Sequence, residues 1–214
     1  MSGNGAKAQR LKPKAQDAIL DAAETLFGAH GPDGVSLRQI AQAAGSANHY
    51  AVQYHFGDKE KLIAALFERR LQSLETRRGV LLAKAVAEGR ERDPRALLEV
   101  LFAPIADEVD ASGRCSYAVF LLGLRVFSEF TKWRTYENSP PLTRNVDHLL
   151  RTSLSDLPDE VFFERLSASA TAILAAIVDW DRRAADDPRL SGSKERCLQL
   201  VLDFAAAGMA APSS

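Results

Sequence analysis

The feature that most constrains this chain is a pair of short helical segments separated by a tight turn, within residues 35–57. The first begins at Ser36, a favoured N-cap residue, and Gln39 completes a capping-box pattern. Gly45 fits the position just after its end. The second, at about residues 48–55, is rich in polar and aromatic side chains. Helices this short are not stable alone, so both must pack on neighbouring helices.

The second segment has the composition of a helix that contacts DNA. Asn and Gln can hold adenine through two hydrogen bonds, Arg can bind guanine or phosphate, and Tyr, His and Lys contact bases or phosphates. The first residues of a recognition helix face the base edges. We predict that DNA is contacted by residues of both short helices, of the turn between them and of the next helix start. These residues are Ser36, Arg38, Ser46, Asn48, His49, Tyr50, Gln53 and Lys59.

Simpler explanations compete with some of these assignments. Arg38 and Lys59 can be solvated surface charges, and Tyr50 can belong partly to the core. Val52 and Phe56 are expected to pack inward. The DNA-binding prediction therefore depends on the set as a whole more than on any one side chain.

The rest of the chain also predicts helices, and we expect an all-α fold. Gly31-Pro32 ends a first helix, and Asp58 and Asp93 are typical N-caps of later ones. Apolar residues recur at helical spacing throughout. The predicted later helices cover about 58–78, 94–105 with a disturbance at Pro104, 115–131, 141–155, 158–185 and 193–209.

Charge is distributed unevenly along a chain whose net charge is −1. Residues 1–78 carry a net charge of +3, and the first sixteen residues hold four basic and no acidic side chains. A basic arm beside a DNA-binding unit fits phosphate or minor-groove contact, although a solvated tail has the same composition.

Several classes of protein are disfavoured. No apolar run approaches the ~20 residues needed to cross a membrane, and the N-terminus lacks the apolar part of a secretory signal. Cys115 and Cys197 are far apart, which fits a reducing cytoplasm without disulfides or a zinc site. The sequence lacks a Gly-rich phosphate loop, a metal-binding His pair and a nucleophile elbow. We expect no enzyme, metal or cofactor.

The helix capped by Ser36, with Gly45 after it and the stretch Tyr54-His55-Phe56-Gly57-Asp58-Lys59, resembles the N-terminal domain of the TetR family of bacterial transcriptional regulators. The likeness covers about residues 15–65. It implies that Tyr54 and His55 contact phosphate, although His55 can also cap its own helix. Ten residues separate Gly45 from Phe56, where the commonest family form has nine, so the turn is expected to be longer.

The resemblance also implies an architecture and a function. It implies a basic arm at residues 1–14, a helix–turn–helix DNA-binding domain at 15–60, and a regulatory and dimerisation domain at 61–214. The expected protein is a cytoplasmic homodimer that binds a pseudo-palindromic operator in double-stranded DNA. It would act most often as a repressor that a small-molecule effector releases. The alternative is an all-helical dimeric adaptor without sequence-specific DNA binding. Such an adaptor needs the same apolar core but does not need the polar residues predicted to contact DNA.

Two further surfaces are expected in the regulatory domain. An apolar, partly aromatic stretch suggests an effector pocket, although the same stripe fits an ordinary core. The pocket candidates are Phe120, Leu124, Phe127, Trp133, His148 and Trp180. The last two helices are unusually apolar, which fits either packing within the chain or a four-helix bundle between two subunits. The interface candidates are Phe162, Leu166, Ala170, Ile173, Ile177, Leu198, Val201 and Leu202.

Overall fold

A computed structural model describes residues 12–110, 112–127, 139–187, 189 and 192–212. These residues form α-helices joined by turns, with no strand among them, which confirms the all-α prediction. In chain order the helices are α1 (Lys12–His30), α2 (Leu37–Ala43), α3 (Ala51–Phe56), α4 (Lys59–Ala87), α5 (Pro94–Asp107), α6 (Ser116–Phe127), α7 (Pro141–Ser153), α8 (Asp159–Asp186) and α9 (Lys194–Ala210).

Local capping explains where several helices begin. The hydroxyl of Ser36 accepts a hydrogen bond from the backbone N–H of Gln39, and the Gln39 side chain accepts one from the backbone N–H of Ser36. The carboxylates of Asp58 and Asp93 cap α4 and α5 in the same way. Each cap satisfies N–H groups that have no partner within the helix, so these starts follow from the local sequence.

Two helices run further than their sequence pattern predicted. The fourth helix was expected to end near Arg78, but α4 continues to Ala87. Arg78 is buried, and its guanidinium donates to the Thr143 hydroxyl on α7 at 2.8 Å and to the Leu101 carbonyl on α5 at 3.0 Å. Beyond Arg78, the additional turns bury Leu82 and Ala85. Helix α5 contains Pro104, as predicted, and ends at Asp107, two residues beyond its predicted end.

An aromatic cluster joins α1, α4 and α6. The Phe120 ring on α6 lies 6.5 Å from that of Phe27 on α1, 5.7 Å from Phe67 on α4 and 5.9 Å from Tyr117, measured between ring centroids. Phe27 and Phe120 are fully buried. Because α2 and α3 pack on α1 and α4 through Ile40 and Val52 and their neighbours, the helix–turn–helix shares one apolar core with the rest of the chain.

Helix α8 is apolar enough to raise the question of a membrane. An 18-residue window of its 28 residues has a mean hydropathy of 1.6, so α8 passes a test of length and composition that we expected no segment to pass. Core helices of soluble proteins pass the same test, and a single such helix is weak evidence. Helix α8 packs on α9, α6 and α5, but only 33 % of the window is buried within the chain.

We expect Val146→Ala to lower the free energy of unfolding by about 1–2 kcal/mol, because Val146 on α7 is completely buried. Val80 on α4 is exposed, so Val80→Ala, the same chemical change, is expected to be near neutral. Urea denaturation of both variants checks the prediction. Equal losses of stability would contradict the packing of α7 against α4 and α5.

Candidate nucleic-acid interface

The first element of the site is α2, which presents Arg38 to solvent. The Ser36 hydroxyl is occupied by the cap, since it donates to the Gln39 carbonyl oxygen Oε1 at 2.8 Å and accepts from the Gln39 N–H at 3.2 Å. Buried Ile40 and Ala41 fix the opposite side of the helix. Arg38 therefore lies on an exposed face of a helix whose orientation is determined by its apolar side.

The turn between α2 and α3 is organised by its own side chains. Gly45 has a φ of +71°, a conformation that other residues rarely adopt. The Asn48 N–H donates to the Ser46 hydroxyl at 3.2 Å, and the Asn48 oxygen Oδ1 accepts from the Tyr50 N–H at 2.9 Å. The predicted start of the recognition helix near residue 48 was therefore too early. The ten-residue spacing is absorbed in this turn, and α3 begins at Ala51.

Helix α3 divides into a buried and an exposed side. Ala51 and Val52 are buried, whereas His49 and Gln53 are exposed and Tyr50 and Tyr54 are 71 % and 72 % exposed. Of the two interpretations of Tyr50, its exposure excludes the alternative that it belongs partly to the core.

The next two residues of the helix extend this arrangement. The His55 ring is half-buried and meets Tyr54 edge-on at 5.0 Å between centroids. Phe56 is partly buried against the core, as expected. The exposed side of α3 is therefore polar and aromatic over its whole length.

Lys59 makes a contact within the protein. Its half-buried ammonium donates to the Pro32 carbonyl at 2.6 Å, which joins the first turn of α4 to the loop between α1 and α2. Beside it, the pKa of the Asp58 carboxyl lies below its ordinary value because the backbone N–H of Lys61 donates to it and the Lys61 ammonium lies near. Lys59 thus positions the loop that precedes α2.

An open groove of about 430 Å³ lies beside these residues. Its lining includes Ala15 and Ile19 from the first turns of α1, residues 44–46 and Asn48 from the turn, and Ala51, Tyr54 and His55 from α3. The groove therefore brings the predicted residues Ser46, Asn48, Tyr54 and His55 together on one surface.

The described members of the predicted effector pocket lie in different surroundings. Phe120 and Leu124 are fully buried in the core. His148 is exposed on α7, and the indole N–H of Trp180 on α8 donates to the Gly192 carbonyl at 3.3 Å. The Phe127 side chain and Trp133 lie outside the described residues. A small cavity between α4 and α5, of about 20 Å³, is well below the size of a drug-like ligand.

The predicted interface helices are present, but most of the named residues face inward. The interface candidates that the chain itself buries are Phe162, Ala170, Ile173, Ile177 and Leu202. Leu166, Leu198 and Val201 are half-buried. Three exposed apolar side chains on the same two helices, Phe163, Leu200 and Phe204, were not among the interface candidates. Each lies one or two positions along its helix from a buried residue, and this spacing was the sequence signal that could have indicated their exposure.

Comparison with known proteins identifies the DNA-binding part. Residues 19–66 match the family model described as bacterial regulatory proteins, tetR family. This part of the chain is a TetR-family N-terminal domain. The match covers α2, α3 and parts of α1 and α4, and therefore contains the turn and the exposed face described above.

Curated relatives of this TetR-family domain carry related names. An HTH-type transcriptional repressor of Mycobacterium tuberculosis (strain ATCC 25618 / H37Rv) is 34% identical over 110 residues, which is 44% of this chain and 56% of the relative. An HTH-type transcriptional regulator of Mycobacterium bovis matches equally. The HTH-type transcriptional repressor AcnR of Corynebacterium efficiens is 40% identical over 52 residues, 24% of this chain and 27% of the relative. The chain spans about half the length, or less, of these relatives.

We expect Lys59→Met to lower the free energy of unfolding by about 1–2 kcal/mol, because a partly buried hydrogen bond from a charged donor to the Pro32 carbonyl is lost. Lys61→Met removes an exposed lysine two residues away, whose ion pair with Asp58 is solvated, and should change stability little. Thermal and urea denaturation compare the two. A neutral Lys59→Met would show that the contact contributes nothing to the fold.

Proposed function

We propose that the protein is a DNA-binding transcriptional repressor, not an enzyme, that acts in the cytoplasm. One observation carries the proposal: the exposed, polar and aromatic side of α3 stands on a TetR-family domain whose apolar side is firmly packed. The relatives include transcriptional repressors, which supports the same class of protein. An all-helical adaptor would not require these exposed polar and aromatic side chains.

We assign the DNA contacts according to exposure and geometry. The exposed residues at the start of α3 are assigned to base edges, namely His49, Tyr50 and Gln53. Arg38 on α2 is assigned to a guanine or a phosphate. Tyr54, His55 and the N-terminal end of α2 at Ser36 are assigned to phosphates. Ser46, Asn48 and Lys59 hold the turn and the loop in position, in addition to any contact of their own with DNA.

Homodimerisation is the second part of the proposal. Phe163 on α8 and Leu200 and Phe204 on α9 are between 61 % and 71 % exposed, on two helices that pack against each other. Small exposed residues such as Ala168 and Ala207 on the same helices permit close approach of another helix. Two such pairs from two subunits form a four-helix bundle, which places two recognition helices on a pseudo-palindromic operator.

The domain division and the effector complete the proposal. The division comprises the basic arm at 1–14, the DNA-binding domain at 15–60 and the regulatory and dimerisation domain at 61–214. Helix α4 crosses the 60/61 boundary without interruption and connects the two domains directly. An unidentified small molecule is proposed to release the operator by favouring one arrangement of the domains over another.

The first experiment is a selection of genomic DNA fragments with purified protein at physiological salt, followed by sequencing of the bound DNA. Enrichment of an inverted repeat supports the repressor, and candidate effectors can then be screened for release of that DNA. A folded dimer that enriches no sequence would support the adaptor. Because phosphate contacts release counterions, operator affinity should fall steeply with salt concentration.

We expect Gln53→Ala to reduce discrimination between the selected operator and single-base variants by about tenfold, since one bidentate base contact contributes roughly 1–3 kcal/mol. The salt dependence of binding should be unchanged. Gln72→Ala, at an exposed glutamine on α4 outside the matched domain, is the control. Fluorescence anisotropy with labelled duplexes measures both, and unaltered discrimination in Gln53→Ala would remove this residue from the base contacts.

We expect Phe204→Glu to convert the dimer to a monomer at micromolar concentration, because it places a charge on the exposed apolar face of α9. Val80→Glu introduces the same charge at an equally exposed apolar position on α4 and should leave the dimer intact. Sedimentation velocity reports the assembly state. Dimers of unchanged affinity in Phe204→Glu would exclude this face as the interface.

A further inference from the structure

Helices α1 and α6 cross in direct backbone contact. A Cβ atom added to Gly123 on α6 would lie 2.6 Å from the Phe27 carbonyl oxygen and 2.8 Å from the Gly28 Cα atom. A Cβ atom added to Gly28 would lie 2.6 Å from Val119 Cγ1 and 3.0 Å from the Val119 carbonyl carbon. Such distances essentially never occur for real Cβ atoms, so the crossing requires glycine in both helices and leaves no room for one helix to slide past the other.

A buried charge cluster lies along the same junction. Glu24 on α1 and Glu108 after α5 have side chains only 3 % and 9 % exposed. The guanidinium of Arg70 on α4 lies between them, with Nη2 donating to Glu24 and Nη1 to Glu108, each at 3.1 Å. Glu24 also accepts from the hydroxyl of Ser116 at the start of α6, and Glu108 from that of Ser73 at 2.6 Å.

One guanidinium thus serves two buried carboxylates. Burial by itself would lower the pKa of Arg70, but the two neighbouring carboxylates raise it above its ordinary value. The Arg70 Nε atom is buried and has no hydrogen-bond partner in the described part of the chain. Removal of one member of such a cluster leaves an uncompensated buried charge, so its geometry is costly to change.

We propose that α1 and α6 move as one rigid body, and that Arg70 is the positioning residue that joins this body to α4. Helix α1 belongs to the TetR-family domain by sequence, yet its packing fixes it to α6 of the regulatory part. Since α2 packs on α1, and α3 packs on α2 and α4, we expect a displacement of α6 to reach the recognition helix through α1 and α2. The consequence for operator binding rests on the proposed function.

Hydrogen–deuterium exchange of the full-length protein, without DNA, tests the rigid body directly. Gly123→Ala must separate the two helices, and we expect exchange in both α1 and α6 to accelerate together by at least tenfold. Gly79→Ala is the control, because a Cβ atom on Gly79 meets nothing closer than the Leu142 Cδ2 atom at 3.7 Å. Accelerated exchange in α6 with wild-type protection in α1 would overturn the proposal.

A milder change keeps the test informative if Gly123→Ala fails to fold. Ser116→Ala removes only the hydroxyl that donates to Glu24 from the first turn of α6. Exchange is expected to rise severalfold both in α1 around Glu24 and in the first turns of α6. A change confined to α6 would again overturn the rigid body.

The positioning role of Arg70 is tested by a measurement that a change in stability alone would not affect, namely operator affinity. Arg70→Met should lower the unfolding midpoint, and adding Glu24→Gln should restore part of it, because a buried carboxylate loses its charge. Neither change restores the connection to α4, so operator affinity should stay at least tenfold below that of the wild type in both variants. Affinity that recovers in step with the midpoint would reduce Arg70 to a structural role.

These readouts separate the two proposals. A wild-type protein that selects no operator removes the proposed repressor function, while the exchange results still decide whether α1 and α6 form one body. Independent exchange of α1 and α6 in a protein that does bind its operator removes the rigid body and leaves the repressor proposal in place.

Discussion

The crossing of α1 and α6 constrains much of the structure, because two helices in backbone contact have only one workable relative position. The nearest apolar side chains, Phe27 and Phe120, pack around the crossing and are themselves fully buried. Close packing makes such an arrangement sensitive to a single methyl group. The helix–turn–helix therefore stands on the same core as the remaining helices and does not form an independent unit.

The buried charges contribute more to the specificity of this helix arrangement than to its stability. The free energy needed to remove Glu24, Arg70 and Glu108 from water offsets a large part of the free energy gained from their mutual attraction. A misplaced α1 would separate Glu24 from Arg70 and from Ser116 and leave charges buried without compensation. The cluster thus penalises other arrangements of the four elements that meet there.

Local signals in the sequence were sufficient for the starts of α2, α4 and α5 and for the family of residues 19–66. The capping residues Ser36, Asp58 and Asp93 act on atoms within three positions of themselves, so no knowledge of the fold is needed to predict them. The stretch that includes Tyr54 and His55 indicated the TetR-family domain in the same way. The all-α class followed from helical spacing along the whole chain.

Features that depend on distant contacts could not be predicted in this way. The extension of α4 beyond Arg78 buries Leu82 and Ala85, and this burial depends on which helices lie beside α4. The outward face of α8 and α9 depends on which helical phase their neighbours cover, so the sequence did not show that Leu202 is buried within the chain while Phe204 is exposed. Lys59 could have served as an exposed cation by sequence, but the proximity of the Pro32 carbonyl appears only in three dimensions.

The division of α3 into a packed and a bare side has an evolutionary consequence. Ala51 and Val52 hold the helix, while Tyr50, Gln53 and Tyr54 contribute almost nothing to the core. Exchanges at exposed positions usually change stability by less than about 0.5 kcal/mol. The outward residues can therefore vary between descendants of one ancestor without endangering folding. Under the proposed function, new target sequences then become accessible through single substitutions while the supporting scaffold is inherited unchanged.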